Sequence, residues 1–170
     1  MLDWSSAPRP LIIGHRGASA EAPENTLAAF ALAQEQGADG IELDVQLSAD
    51  GWPVGIHDNT LARTTNGQGK VQQFTLAQLQ ALDAGEGQSI PTLDEVFETF
   101  GPGFLYNVEL KTAALRNTGL AAAVADRIQA HHVENQTVVS SFNPLAVRRA
   151  RRHLTQSTWV AHLSYTTILK

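Results

Sequence analysis

Between Ile41 and Leu47 the chain alternates strictly, with Ile41, Leu43, Val45 and Leu47 apolar and Glu42, Asp44 and Gln46 polar. A period of two marks a β-strand with one apolar face. A Glu-x-Asp on an isolated strand is ordinarily the wet face of an antiparallel sheet. Here helical patterns flank the strand on both sides, so both of its faces are expected to be covered. Two carboxylates on a covered face need a chemical reason to be there.

The segments on either side repeat one theme. Leu11-Ile12-Ile13 is a short apolar strand running into Gly14-His15-Arg16-Gly17. Asn25 or Thr26 then opens a helix with Leu27, Phe30 and Leu32 near one face, and Gly37 ends it. After the turn signal Asp50-Gly51, Val54-Gly55-Ile56 reads as a third strand leading into His57-Asp58. Residues from about 59 to 103 differ in texture, with Gly-punctuated polar sequence and two short helices. Each helix opens on a capping box, Thr75 with Gln78 and Thr92 with Glu95. This stretch reads as an insertion within a single domain of residues 1–170, because it is too short for a core of its own. Further strands are expected at 104–111, 138–142 and 158–163, with helices at 118–131 and from Asn143-Pro144 to about His153.

Strands alternating with helices imply a parallel sheet. Polar residues facing inward and gathered at the strands' C-terminal ends favour a (β/α) barrel over an open, doubly wound sheet. The first strand-to-helix loop also lacks G-x-G-x-x-G. The expected class is therefore α/β, a TIM-type barrel with a small insertion after the third strand. Six strands are read where such a barrel has eight, so the last two are expected to be missing from this sequence.

Glu42, Asp44 and Glu109 come from two strands and face one side. Gathered carboxylates repel unless one is protonated or a cation joins them. An all-oxygen set suits Mg²⁺ or Ca²⁺ better than zinc. His15 and His57 each follow a short apolar strand; one such histidine is usually structural, but two beside an acidic cluster resemble an acid and a base. Arg16 offers a planar fork for a phosphate and Lys111 a point charge, although either can instead neutralise neighbouring carboxylates. Together these groups point to a metal-assisted phosphoesterase with no substrate named. His131, His132, His153 and His162 lie at helix ends or on the last strand and receive no catalytic role.

Composition narrows the alternatives. The chain has no Cys, which excludes disulfides and thiolate metal sites, and its net charge of −5 argues against a nucleic-acid binder. Arg148, Arg149, Arg151 and Arg152 are read first as the solvated face of a helix, second as a patch for an anionic surface. Neither a signal-peptide pattern nor an apolar run long enough to span a membrane is visible, so a cytoplasmic protein without stable membrane insertion is expected.

In order along the chain stand His15-Arg16-Gly17, Pro23-Glu24-Asn25-Thr26, Ile41-Glu42-Leu43-Asp44-Val45, Asp50-Gly51 and His57-Asp58. Leu61-Ala62-Arg63-Thr64-Thr65, Ile90-Pro91-Thr92-Leu93, Asn107-Val108-Glu109-Leu110-Lys111 and Ser140-Ser141-Phe142 follow. This ordered set resembles the glycerophosphodiester phosphodiesterase family over nearly the whole chain. The resemblance implies hydrolysis of a glycerophosphodiester, a small-molecule substrate, to glycerol 3-phosphate and an alcohol. It implies a divalent cation on Glu42, Asp44 and Glu109, acid/base roles for His15 and His57, and Arg16 and Lys111 on the phosphate. It further implies attack by the substrate's own glycerol hydroxyl through a cyclic phosphate. Nothing after Leu163 matches the family's closing Thr-Asp-x-Pro-like segment. Two alternatives follow: an inactive fragment that binds metal or phosphodiester without turnover, and a lysophospholipase D-like enzyme. Self-association through the open barrel edges is also expected.

Overall fold

The computed structural model describes Trp4 and residues 10–163. The first apolar run forms β1 (Ile13–His15), followed by α1 (Leu27–Glu35) and β2 (Gly40–Leu47). Strands β1 and β2 are parallel, with His15 opposite Glu42. Helix α1 starts where Thr26 accepts the Ala29 amide in its hydroxyl, and it seats Ala29, Phe30 and Ala33 in the core.

The sequence reading makes Val54–Ile56 the third parallel strand, and here the structure differs. Strand β3 (Pro53–Gly55) folds back antiparallel on β2, with Val45 opposite Gly55 and Leu47 opposite Pro53. The connection explains it. Residues 48–52 form a tight turn, closed by Ser48 N–H to Trp52 O at 3.0 Å, whereas a parallel return needs a dozen residues or more.

The excursion between this hairpin and the next strand holds α2 (Leu76–Gln80) and α3 (Leu93–Phe100). Both capping boxes form, the second with Glu95 N–H on Thr92 Oγ1 at 3.1 Å and Thr92 N–H on Glu95 Oε2 at 2.7 Å. Within the excursion Leu61, Val71, Leu79, Ala84 and Ile90 close around Val54 and Ile56 in a small second core that the excursion does not build by itself. Strand β3 supplies one wall of it. Helix α3 packs instead into the main core through Leu93, Val96 and Phe97.

The chain then continues through β4 (Leu105–Leu110), α4 (Leu120–Ala130), β5 (Thr137–Ser141), α5 (Pro144–His153) and β6 (Trp159–His162). The sheet path is β1-β2-β4-β5-β6, with β3 paired to β2 beside it. Five parallel strands, not six, therefore build the barrel path among the described residues, and the insertion follows the second of them.

Side chains sort by face. Ile41, Leu43, Val45, Tyr106, Val108, Leu110 and Val139 meet the helices in the main core. Each such buried side chain contributes about 1.5–3 kcal/mol relative to exposure. Tyr106 crosses Phe97 edge-on at 4.9 Å, and its hydroxyl donates to Gly101 O. At Gly40 the two central strands come so close that a Cβ would lie 2.3 Å from Leu105 O. The opposite face of β2 and β4 carries Glu42, Asp44, Gln46 and Glu109, all buried.

Candidate active site

Register builds the acidic cluster. Strands β2 and β4 pair with Asp44 opposite Glu109, and Glu42 sits two residues earlier on the same face. One carboxylate oxygen from each of the three lies within 4.8 Å of the others. Burial first, then the charges of Asp44 and Glu109, push the Glu42 carboxyl up to about 8. Glu42 Oε1 is buried without a hydrogen-bond partner, and so is Asp44 Oδ1, whose neighbour Lys111 Nζ stands 3.5 Å away. Two unpartnered carboxylate oxygens on β2, converging with the Glu109 carboxylate of β4, fit a hard divalent cation, Mg²⁺ or Ca²⁺ in donor type.

The two cations expected on a phosphate are brought to this cluster, each already engaged. Lys111 Nζ bonds Glu109 Oε1 at 2.8 Å. Burial works against its charge, but the hydrogen bond to Glu109 and the nearby Asp44 and Glu109 charges outweigh it and raise its pKa. Arg16 places Nε 3.1 Å from Asp44 Oδ2, off the hydrogen-bonding axis, and Nη1 3.1 Å from Glu24 Oε1. Its backbone N–H is shared between Glu42 O at 2.9 Å and Glu42 Oε2 at 3.1 Å.

This loop is wound tightly. Arg16 and Asn25 both hold positive φ, 57° and 58°. Gly17, at φ 81°, passes so near α1 that a Cβ would lie 2.6 Å from the Ala29 carbonyl carbon. The winding delivers the Asn25 side chain to Asp44; on sequence grounds Asn25 is only a candidate helix cap, with no part in the site.

The histidines stand on different supports. His15 is exposed at the mouth, Nε2 3.7 Å from Glu42 Oε2. His57 presents Nδ1 to Asp58 Oδ1 at 2.6 Å and lines a cleft. That cleft, about 670 Å³, is lined by His57, Asp58, Glu109, Lys111, Ser141 and Asn143 among others. Gln46 donates Nε2 to the carbonyls of Ile56, His57 and Asp58 at 3.1, 3.1 and 2.6 Å, fastening the His57 loop to β2. Arg63 grips Asp58 and Glu24 together. Its hydrogen bonds are the main reason both carboxyls sit below their ordinary range. Glu24, Asn25, Asp58 and Arg63 all fall within ordered motifs noted above; their signal was position in a motif, without a role.

Residues 15–169 match the profile of the glycerophosphoryl diester phosphodiesterase family. The chain belongs to that family. Similar proteins include a glycerophosphodiester phosphodiesterase of Caldanaerobacter subterraneus subsp. tengcongensis, 46% identical over 152 residues, covering 85% of this chain and 63% of that protein. Among solved structures, the Agrobacterium tumefaciens glycerophosphodiester phosphodiesterase superposes with a TM-score of 0.78 at 38% identity, covering 85% of this chain and 63% of that one. An Oleispira antarctica phosphodiesterase, solved in complex with the product sn-glycerol-3-phosphate, gives 0.79 at 38% identity, covering 90% and 64%. The chain thus spans about three fifths of the length of the first relatives it matches. Its parallel strands and intervening helices are those of the family's α/β barrel. No helix among the described residues is long and apolar enough to cross a membrane.

Proposed function

We propose that this chain carries the catalytic face of a divalent-cation-dependent phosphodiesterase that hydrolyses glycerophosphodiesters to glycerol 3-phosphate and an alcohol. The observation that carries the reading is the buried triad Glu42, Asp44 and Glu109, with unpartnered oxygens, beside the His57-walled cleft. The product bound to the Oleispira relative supports the substrate class.

In this reading Glu42, Asp44 and Glu109 hold Mg²⁺ or Ca²⁺, which when bound supplies Lewis-acid stabilisation of charge on phosphate and glycerol oxygens. Lys111 and Arg16 neutralise the phosphodiester from the same side, re-partnering from the carboxylates they now face. One histidine of the pair His15 and His57 takes the proton of the glycerol 2-hydroxyl as that oxygen bonds to phosphorus. The other gives a proton to the departing alcohol oxygen as its bond to phosphorus breaks. A cyclic phosphate results, and water opens it with the two proton roles reversed. The tethered hydroxyl has the entropic advantage over a water recruited first. His57 suits its role because Asp58 holds the Nδ1 side of its ring.

The test is release of glycerol 3-phosphate from glycerophosphocholine by the chain, with and without chelator, in the natural sequence and in Glu42→Ala and His15→Ala. Turnover that survives chelation and both substitutions removes the proposal. Metal binding by calorimetry with no turnover would instead identify a binding fragment. Cytoplasmic location belongs to the same proposal, and cell fractionation checks it.

A further inference from the structure

We propose that Arg63, outside the metal cluster and the histidine pair, is a positioning residue that fixes the side chain of His57 through Asp58. The inference rests on the reading of His57 as a proton-transfer group.

A histidine hydrogen-bonded to its own neighbour in sequence is not thereby fixed, since an Asp side chain turns freely between rotamers. Something must hold Asp58. Arg63 does so edge-on, with Nε to Asp58 Oδ2 at 2.6 Å and Nη2 to Asp58 Oδ1 at 3.1 Å. The other edge of the same guanidinium takes Glu24, Nη1 to Oε2 at 2.8 Å and Nη2 to Oε1 at 2.7 Å. Glu24 lies on the loop between β1 and α1 and is held in turn by Arg16 Nη1. One planar group therefore joins the two sides of the mouth, and an ammonium offers no such double fork.

An ion-pair cluster that merely ties the excursion to the barrel is the competing explanation, and two observations weigh against it. The backbone of the His57 loop is already fastened without Arg63. Gln46 takes three successive carbonyls, and Ile56 N–H reaches Asp44 O at 2.9 Å. What Arg63 adds is control of a side chain. Second, the Arg63 side chain is 46% exposed, a setting in which ion pairs add little to stability. The charged groups sharing the cleft wall with His57 are Asp58, Glu109 and Lys111, and of these Arg63 touches Asp58.

The experiment compares the full chain with Arg63→Gln, Arg63→Lys and Asp94→Asn. Asp94 ties α3 to Arg127 and His131 of the α4 end, so its substitution loosens the excursion without touching His57. For Arg63→Gln and Arg63→Lys, kcat should fall by about tenfold or more while KM changes less than about threefold, within the range general acid–base catalysis supplies. Asp94→Asn should keep kcat. The ¹⁵N shifts of His57 should report one tautomer, protonated at Nδ1, in the natural chain and a mixture in Arg63→Gln. Retained kcat, an unchanged tautomer in Arg63→Gln, or an equal kcat loss in Asp94→Asn overturns the inference. If the natural chain turns over no glycerophosphodiester, the functional reading fails by itself, and the tautomer comparison still decides the role of Arg63.

Discussion

Asn25 and Asp44 hold each other twice: Asn25 Nδ2 donates to Asp44 Oδ2 at 2.9 Å, and the Asp44 amide donates to Asn25 Oδ1 at 3.1 Å. Both residues are buried, and Asn25 sits in the left-handed region that Asn tolerates better than most residues. Asn25→Ala strands a buried amide and a buried carboxylate oxygen. It should cost about 2–4 kcal/mol of stability, as unsatisfied buried polar groups do. Urea unfolding measures the loss, and a change below the error of the method would mean that the pair is dispensable.

Cation binding should depend on pH through Glu42. A ligand carboxylate must be ionised, and without metal, burial and the charges of Asp44 and Glu109 push this one up to about 8. Apparent affinity for Mg²⁺ or Ca²⁺ should therefore climb by up to about tenfold per pH unit below about pH 8 and level off above it. Calorimetric titration at several pH values checks the slope, and Glu42→Gln should flatten it. Without metal the sign reverses for stability. The raised carboxyl favours the folded state while protonated, and that contribution is lost as pH rises from about 4.5 toward about 8.

Acid should act on the Arg63 pairs in the opposite sense. Glu24 and Asp58 are both held below their ordinary values, chiefly by hydrogen bonds from Arg63. Below about pH 4 the unfolded chain binds the extra protons, so stability present above that pH drains away as pH falls through the lowered values. Arg63→Ala should give a slightly shallower loss of stability between about pH 4 and pH 2, a small effect because the Arg63 side chain is half exposed and its pairs are screened by solvent. Unfolding curves at stepped pH decide it, and an unchanged slope would show that the pairs do not couple to folding.

Gly40→Ala tests the closest approach in the sheet. Its Cβ would meet Leu105 carbonyl and side-chain atoms at 2.3–2.7 Å, and neither backbone can withdraw without parting β2 from β4. A loss of about 3 kcal/mol or more is expected, at the upper end of overpacking effects. Thermal unfolding reads it, and a variant that melts with the parent would contradict the packing described.

Strands β1 and β6 end the sheet path among the described residues, and Trp159 on β6 and Ile12 beside β1 are 58% and 61% exposed. The 170-residue chain should therefore self-associate, and Trp159→Lys should weaken this. Light scattering across a concentration series gives the answer; a monodisperse monomer throughout would refute it.

What could be read beforehand was local. The Thr26, Thr75, Thr92 and Asn143 caps all form, because a cap depends on residues two or three positions away. The facing of Glu42, Asp44 and Glu109 also followed from alternation alone. The direction of β3 was missed although its five-residue connection held the clue, since Val54 and Ile56 look alike in a parallel or an antiparallel strand. The Arg63 fork on Glu24 spans 39 residues and has no period to betray it. Arg16 left two roles open on sequence grounds, and its partners here are carboxylates.

One edge of β2 is divided between two neighbours: β1 pairs with it over Gly40–Glu42 and β3 over Val45–Leu47. Between those stretches the strand borrows the Asn25 side chain in place of a backbone partner. The two halves of that edge therefore face different evolutionary latitude. A residue added at the exposed Asp50-Gly51 tip of the hairpin rearranges turn bonds such as Gly51 N–H to Ser48 O but leaves the registers of β1 and β3 on β2 in place. A residue added between Gly14 and Asn25 shifts the one side chain that bridges the gap. Variation among descendants of this chain should accumulate at the first place and be purged at the second.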